Sequence, residues 1–197
     1  MPQKSIDPIV TASSIVQSVQ AVHAREIDSL KPTAIVFGKI QGGSFSNIIP
    51  ESVELEGTIR CLYDSRKDEN ETLCEKFERV VKGVCETHRS EYDLVFTFIN
   101  PAVVNDTGMT KLVENAAQKT VSDTGQIERY VTMIGEDFCE FVQDIPGAFY
   151  FIGVGDKTKE TDFPHHHPNF NIDENALSIG LEMHVRSALS YFSNTLE

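Results

Sequence analysis

Nine residues, Val53 to Cys61, constrain this chain more than any other stretch. They alternate without a break: Val53, Leu55, Gly57, Ile59 and Cys61 fall on one face, and Glu54, Glu56, Thr58 and Arg60 on the other. A side-chain period of two belongs to a β-strand, and one apolar face with one charged face marks a half-buried strand of an antiparallel sheet. Such a strand needs a neighbour for its backbone groups and a layer over its apolar side. "TAIVFGKI", Thr33 to Ile40, supplies the neighbour. The layer comes from two segments of helical period. Asp7 and Pro8 form an N-cap and first-turn proline, opening a helix over about 7–25 whose apolar residues are Ile9, Ala12, Val16 and Val19. A second helix carries Leu73, Phe77, Val80, Val81 and Val84, and "YDLVFTFI" then reads as a strand.

The order is therefore α-β-β-α-β, which becomes the common split β-α-β arrangement only if a further strand precedes the first helix. Six residues precede Asp7. The chain reads as though it begins in mid-domain. A missing central strand leaves backbone groups unpaired, so a hole or an exposed edge is expected beside Thr33–Ile40 and Ser52–Arg60, in a protein that is aggregation-prone or partly molten.

Beyond "NPAVVNDTG" the pattern changes to a helix over about 108–121, a strand "RYVTMI", a short helix after Gly135, a continuously apolar strand "PGAFYFIGVG" buried on both faces, and a last helix over about 174–193. That helix carries Leu177, Leu181, Met183, Val185, Ala188 and Phe192. The boundary falls near residues 100–107, dividing an α+β unit, 1–105, from an α/β unit, 106–197. Thirty acidic against 17 basic residues give a net charge of −13, which repels a phosphate backbone and excludes nucleic acid as an expected partner. No run has the length or apolarity of a signal sequence or a membrane span, so the expected location is the cytoplasm, without membrane partners. Cys61, Cys74, Cys85 and Cys139 lack CxxC spacing and read as reduced thiols, with Cys74 and Cys85 buried on the second helix.

Three clusters carry possible chemistry. "DFPHHHPNFNID" holds three of the six histidines in a loop stiffened by Pro168 and anchored by Phe170; neutral imidazole is a common metal ligand, and an exposed polar loop is the plainer alternative. "GEDF" places Glu136 and Asp137 at a helix start, either as dipole-favoured caps or as carboxylates orienting a metal-bound imidazole. "GGSFSNIIP" is a hairpin connection containing Asn47; with Arg60 it forms an amide and guanidinium pair suited to a carboxylate, or it is simply a turn.

Taken together, "SIDPIVTAS", "GGSFSNIIPESVELEGTIR", "PAVVND", "GEDF", "PGAFYFIGVG" and "HHPNFNIDENAL" resemble, in order and over nearly the whole chain, the C-terminal half of metal-dependent amidohydrolases. These include aminoacylases, hippurate hydrolases, N-acetyl-diaminopimelate deacetylases and plant auxin-conjugate hydrolases. The resemblance implies a ferredoxin-like lid or dimerisation domain lacking its first strand, followed by the end of an α/β domain that holds two divalent ions, zinc or manganese. It implies that His166 is a metal ligand and that His165 and His167 are bystanders. It assigns Asn47 and Arg60 to the substrate carboxylate in the neighbouring subunit's site, and Glu136 and Asp137 to an acidic pair beside the metal cleft.

The family's remaining ligands come from a Cys-Gly-His-Asp-type motif, a Glu-Glu pair that includes the general base, and a further histidine. None has a counterpart here, nor has the lid histidine that precedes "PQKSIDPI" in relatives. A catalytic metal takes about three protein ligands and an open position. The expectation is therefore a family that hydrolyses amides of N-acyl amino acids, with this chain an inactive fragment supplying no catalytic residue and at most one ligand, and binding no tight metal alone. The alternative is a non-catalytic partner that dimerises, through the lid, with itself or with a full-length homologue.

Overall fold

The computed structural model describes residues 2–66, 70–121 and 126–194, which fall into two compact units. The first comprises Met1–Ala102 with Met133–Gly135, and the second Val103–Thr132 with Glu136–Glu197.

In the first unit, helix α1, Pro8–Arg25, starts where sequence chemistry places it. The Asp7 carboxylate accepts from the backbone N–H of Ile9 at 2.9 Å and of Val10 at 3.3 Å, and proline occupies the first turn, where no intrahelical partner for its nitrogen is needed. Its buried face runs through Thr11, Ala12, Ile15, Val19 and Val22. Ile9 stays 44% exposed and Val16 half-buried, so the apolar stripe is rotated from the expected one. Helix α2, Leu73–His88, opens with a reciprocal cap: Glu75 N–H donates to Thr72 Oγ1 at 3.3 Å, and Thr72 N–H donates to Glu75 Oε2 at 2.7 Å. It closes on Arg89 in the left-handed region at φ 59°. Leu73, Phe77, Val81 and Cys85 recur every four residues on its buried face. Cys74 lies one position off that stripe and is exposed, against the expectation of a buried thiol. All four cysteines are free thiols, and burial pushes Cys85 and Cys139 above the usual thiol range.

Strands β1, Thr33–Gly42, and β2, Val53–Cys61, pair antiparallel from Thr33↔Cys61 to Gly42↔Val53, with a register irregularity between Phe37 and Lys39. Gly57 sits opposite Phe37, so close that a Cβ there would stand 2.4 Å from the Val36 carbonyl oxygen. Ile35, Phe37, Leu55 and Ile59 cover a core of Ile15, Val19, Phe77, Val81 and Cys85. The period-two reading of β2 thus fixes its buried face.

These are the only two strands among the described residues. "YDLVFTFI", "RYVTMI" and "PGAFYFIGVG", all expected as strands, enter no ladder. Alternation and β-branched content report fitness for a strand, whereas a ladder requires a bonded neighbour. The last of them is not buried on both faces either, since Phe151 is 45% exposed.

The second unit carries helices α3, Thr107–Val121, and α4, Asn175–Asn194, which pack on each other, with 3₁₀ turns at Asp137–Glu140 and Lys157–Lys159. The short helix expected after Gly135 is the first of these turns. Residues 146–155 are held from outside a sheet. Asn105 brackets Phe149, its amide donating to the Phe149 carbonyl and its oxygen accepting from the Phe149 N–H, both at 2.8 Å; Asp106 N–H donates to Gly147 O, also at 2.8 Å. Met183 and Ala176 are buried, but Leu177, Leu181, Val185, Leu189 and Phe192 of α4 are exposed. No described helix is long and apolar enough to cross a membrane.

Candidate functional site

The histidine loop is anchored at both ends by polar contacts. On its N-terminal side Thr161 is buried, and its hydroxyl accepts from Asp156 N–H at 2.8 Å. On its C-terminal side Asp173 N–H donates to the Val154 carbonyl at 2.8 Å, and the Asp173 carboxylate takes a 2.7 Å bond from Lys159 and another from Asn175 N–H at 3.1 Å. The Lys159 ammonium, with the Asn175 amide, holds the Asp173 carboxyl below its ordinary range; the Thr158 hydroxyl and N–H do the same for Asp156.

Within the loop the three histidines differ. His167 stacks on Phe163 at 4.6 Å with 12° between the rings, and its Nδ1 accepts from Asn169 N–H at 3.1 Å. His165 meets Phe170 edge to face at 5.1 Å. His166 alone sits in the left-handed region, at φ 67°, and its ring takes no hydrogen bond or ring contact among the described residues. Two imidazoles are therefore tied down, and the middle one projects free from a backbone that a non-glycine residue adopts at a cost.

Glu136 does what a cap does. Its Oε1 accepts from Phe138 N–H at 3.2 Å and opens the Asp137–Glu140 turn, while Asp137 is exposed. No hydrogen bond joins either carboxylate to an imidazole among the described residues.

Arg60 donates from Nη1 to the Met133 carbonyl at 2.8 Å. It pairs with Ala34 near one end of the ladder, whereas Asn47 lies exposed in the loop beyond the Gly42↔Val53 end. Arg60 lies roughly 23 Å along β2 from Val53 at about 3.3 Å per residue. The structure does not join the two by a hydrogen bond.

Among the described residues no group of three or more His, Cys, Asp or Glu is placed to hold a metal ion. Sequence reasoning assigned no role to Asn105, Lys159 or Asp173, which brace the histidine loop and its neighbour. Asp173 had a legible signal: an acid directly before the helix start expected near residue 174 stands at a capping position.

Residues 4–190 match the sequence profile of Peptidase family M20/M25/M40. A probable hydrolase of Synechocystis sp. is 30% identical over 194 residues, 98% of this chain and 49% of its own length. The N-acetyl-L-cysteine deacetylase of Bacillus subtilis is 32% identical over 177 residues, 90% of this chain and 40% of its own. Among solved structures, a putative aminohydrolase from methicillin-resistant Staphylococcus aureus superposes with a TM-score of 0.78 at 28% identity, covering 97% of this chain and 48% of that one. A dinuclear metal binding peptidase of the M20 family from Bacillus subtilis gives 0.69 at 25% identity, covering 93% and 46%. The chain thus spans about half the length of the curated relatives it matches.

Proposed function

From membership of Peptidase family M20/M25/M40, to which this chain belongs over residues 4–190, we propose that the whole protein hydrolyses the amide bond of N-acyl amino acids or related carboxylate-bearing substrates, with two divalent metal ions. The observation that carries the reading is the histidine loop: His165 and His167 are held by aromatic partners, and His166 stands free on a left-handed backbone. Such backbone conformations persist where the surrounding structure enforces them, and they cluster at ligand-holding sites.

A metal centre takes about three protein ligands and an open position. The histidine loop brings one free imidazole, and no such cluster occurs among the described residues, so by themselves they do not make a two-metal centre. The roles proposed are binding and ligation alone. His166 gives one ligand. Asp137, which is not used as the cap, orients an imidazole, with Glu136 fixing the turn beneath it. Asn47 and Arg60 hold the substrate carboxylate in the neighbouring subunit's site. Residues up to about 105 act as the lid through which the protein dimerises, in the cytoplasm, and the chain alone is inactive.

The test is co-expression with the part of the Staphylococcus aureus aminohydrolase that lies outside the match, followed by metal analysis and hydrolysis of hippurate and N-acetyl amino acids. His166→Ala should remove metal and turnover, and His165→Ala or His167→Ala should do so far less. Equal losses in all three, or turnover surviving His166→Ala, sinks the assignment. Among the described residues β1 and β2 have no strand neighbour but each other, which favours a second reading, a non-catalytic dimerising partner. Light scattering decides it: a strict monomer that captures no homologue excludes that reading.

A further inference from the structure

A cavity of about 370 Å³ opens in the first unit at the Thr33↔Cys61 end of the ladder, the end away from the Asn47 loop. Small-molecule sites occupy about 300–1,000 Å³, and this one falls within that range. Three connections build it: the turn after α1, the segment after β2 and the start of α2. The first two are tied together, since Leu62 N–H donates to the Pro32 carbonyl at 3.1 Å and the hydroxyls of Thr33 and Tyr63 share a hydrogen bond of 3.0 Å. Leu73, which is buried, and the half-buried Ile27 give the lining its apolar part, together with the Tyr63 ring.

The charges around the cavity select its ligand. Lys31 makes no ion pair among the described residues, and its ammonium stands 5.3 Å from the centre of the Tyr63 ring. Glu26 and Glu71 are fixed by one guanidinium: Arg79 Nε donates to Glu71 Oε1 at 2.9 Å, and its Nη2 donates to Glu26 Oε2. Glu26 Oε1 accepts no hydrogen bond among the described residues, so this carboxylate keeps an oxygen for a ligand. The acids Glu26, Asp28 and Glu71 number three, and so do the bases Lys31, Lys76 and the bridging Arg79. Such a balance favours neither a net anion nor a net cation, but a molecule that carries both charges. The helix ends add to this, since Glu26 follows the carbonyl end of α1, which attracts a cation, and Leu73 opens the amide end of α2, which attracts an anion. A cation, a carboxylate and an apolar surface within one small cavity match a single carbon that bears an ammonium, a carboxylate and an apolar group. We infer that this cavity binds a free α-amino acid with an apolar side chain, its ammonium on Glu26 and its carboxylate on Lys31. The inference stands on the cavity's own residues and does not use the amidohydrolase reading.

The experiment titrates the nitrogen-15-labelled full chain with three probes of one side chain and follows backbone amides by NMR. The probes are L-leucine, N-acetyl-L-leucine, which lacks the ammonium, and 3-methylbutylamine, which lacks the carboxylate. L-Leucine should shift the amides of 26–31, Tyr63 and 70–76 saturably, with a Kd of about 1 mM or tighter. At those amides each of the other probes should bind at least about tenfold more weakly, because each lacks one charge-assisted contact. Lys31→Met should weaken L-leucine about tenfold and leave 3-methylbutylamine unchanged, and Glu26→Gln should weaken L-leucine as much and leave N-acetyl-L-leucine unchanged. Both residues are exposed, so neither substitution touches the core. The inference is overturned if L-leucine gives no saturable shift at these amides, if either other probe binds there as tightly, or if the two substitutions leave the affinity for L-leucine unchanged. Metal content and hydrolysis are not read, so failure here leaves the amidohydrolase reading standing.

Discussion

Phe77→Ala is the most informative single change in the first unit. Phe77 is 8% exposed and stands at the centre of the core, its ring 6.1 Å from Phe37 and 5.7 Å from Phe96, the latter edge-on at 78°. Truncating a buried phenylalanine removes its transfer free energy and leaves a cavity, costing about 3–5 kcal/mol, a range that includes aromatic pairs worth about 0.5–1.5 kcal/mol each. Alanine returns about 0.5 kcal/mol through its better helix propensity. The net loss is about 3–4 kcal/mol, against a whole-domain stability of about 5–15 kcal/mol. Hydrogen exchange by mass spectrometry on α1 and α2 gives the measurement: the most protected amides should exchange about 100- to 1,000-fold faster, since 1.4 kcal/mol is a factor of about ten. Phe98→Ala is the comparison. Phe98 is 61% exposed with an Arg66 guanidinium 4.9 Å from its ring, and its loss should cost less than about 1 kcal/mol. Equal effects from the two variants, or a loss below about 1 kcal/mol for Phe77→Ala, would mean that the helices and sheet do not share this core.

Gly57→Ala should destabilise the β1–β2 ladder by about 2 kcal/mol or more, because the new Cβ would stand 2.4 Å from the Val36 carbonyl oxygen, a backbone atom that cannot rotate aside. Gly38→Ala, where a Cβ would meet no atom within 4 Å, should cost little; urea titration followed by circular dichroism separates them, and equal midpoints would refute the close approach. The Lys159 partner depresses the Asp173 carboxyl in the folded state, so this contact stabilises above the unfolded value of about 3.9 and is lost as pH falls through the lower folded value. Lys159→Met should move the Asp173 titration, followed by carbon NMR, back up toward that ordinary value; an unmoved titration would show that the pair does not form in solution.

Local signals carried much of this structure, and signals about partners carried little. Asp7 with Pro8 and the alternation from Val53 to Cys61 act through neighbours a few residues away, so the start of α1 and the buried face of β2 were legible, while the equally local cap of Thr72 and Glu75 went unread. The three missing strands failed for the opposite reason. A strand is defined by what lies beside it, and composition cannot report a neighbour. Cys74 shows the finer limit: apolar character suggested burial, and the four-residue spacing of Leu73, Phe77, Val81 and Cys85 decided against it. At the candidate site the motif picked out the histidine loop and, by resemblance, His166 within it; the folded loop adds the ring contacts of His165 and His167. The braces from Asn105, Lys159 and Asp173 depend on contacts 44 and 14 residues away in sequence.

That distinction among the histidines gives a separable prediction about strain. A non-glycine residue in the left-handed region costs roughly 1–2 kcal/mol, and His166 carries that cost at φ 67°. Alanine at the same position would carry it too, whereas glycine would not, although it adds about 0.5–1 kcal/mol of chain entropy in the unfolded state. His166→Gly should therefore be more stable than His166→Ala by about 0.5–1 kcal/mol, although both remove the imidazole. Because the His166 ring has no partner among the described residues, neither variant loses a side-chain contact that would mask the difference. Denaturant titration of the two variants, read on peptides covering 156–173 by hydrogen exchange, measures it. If alanine matches or exceeds glycine, the left-handed backbone is not enforced by the loop, and the ground for singling out His166 over its two neighbours is gone.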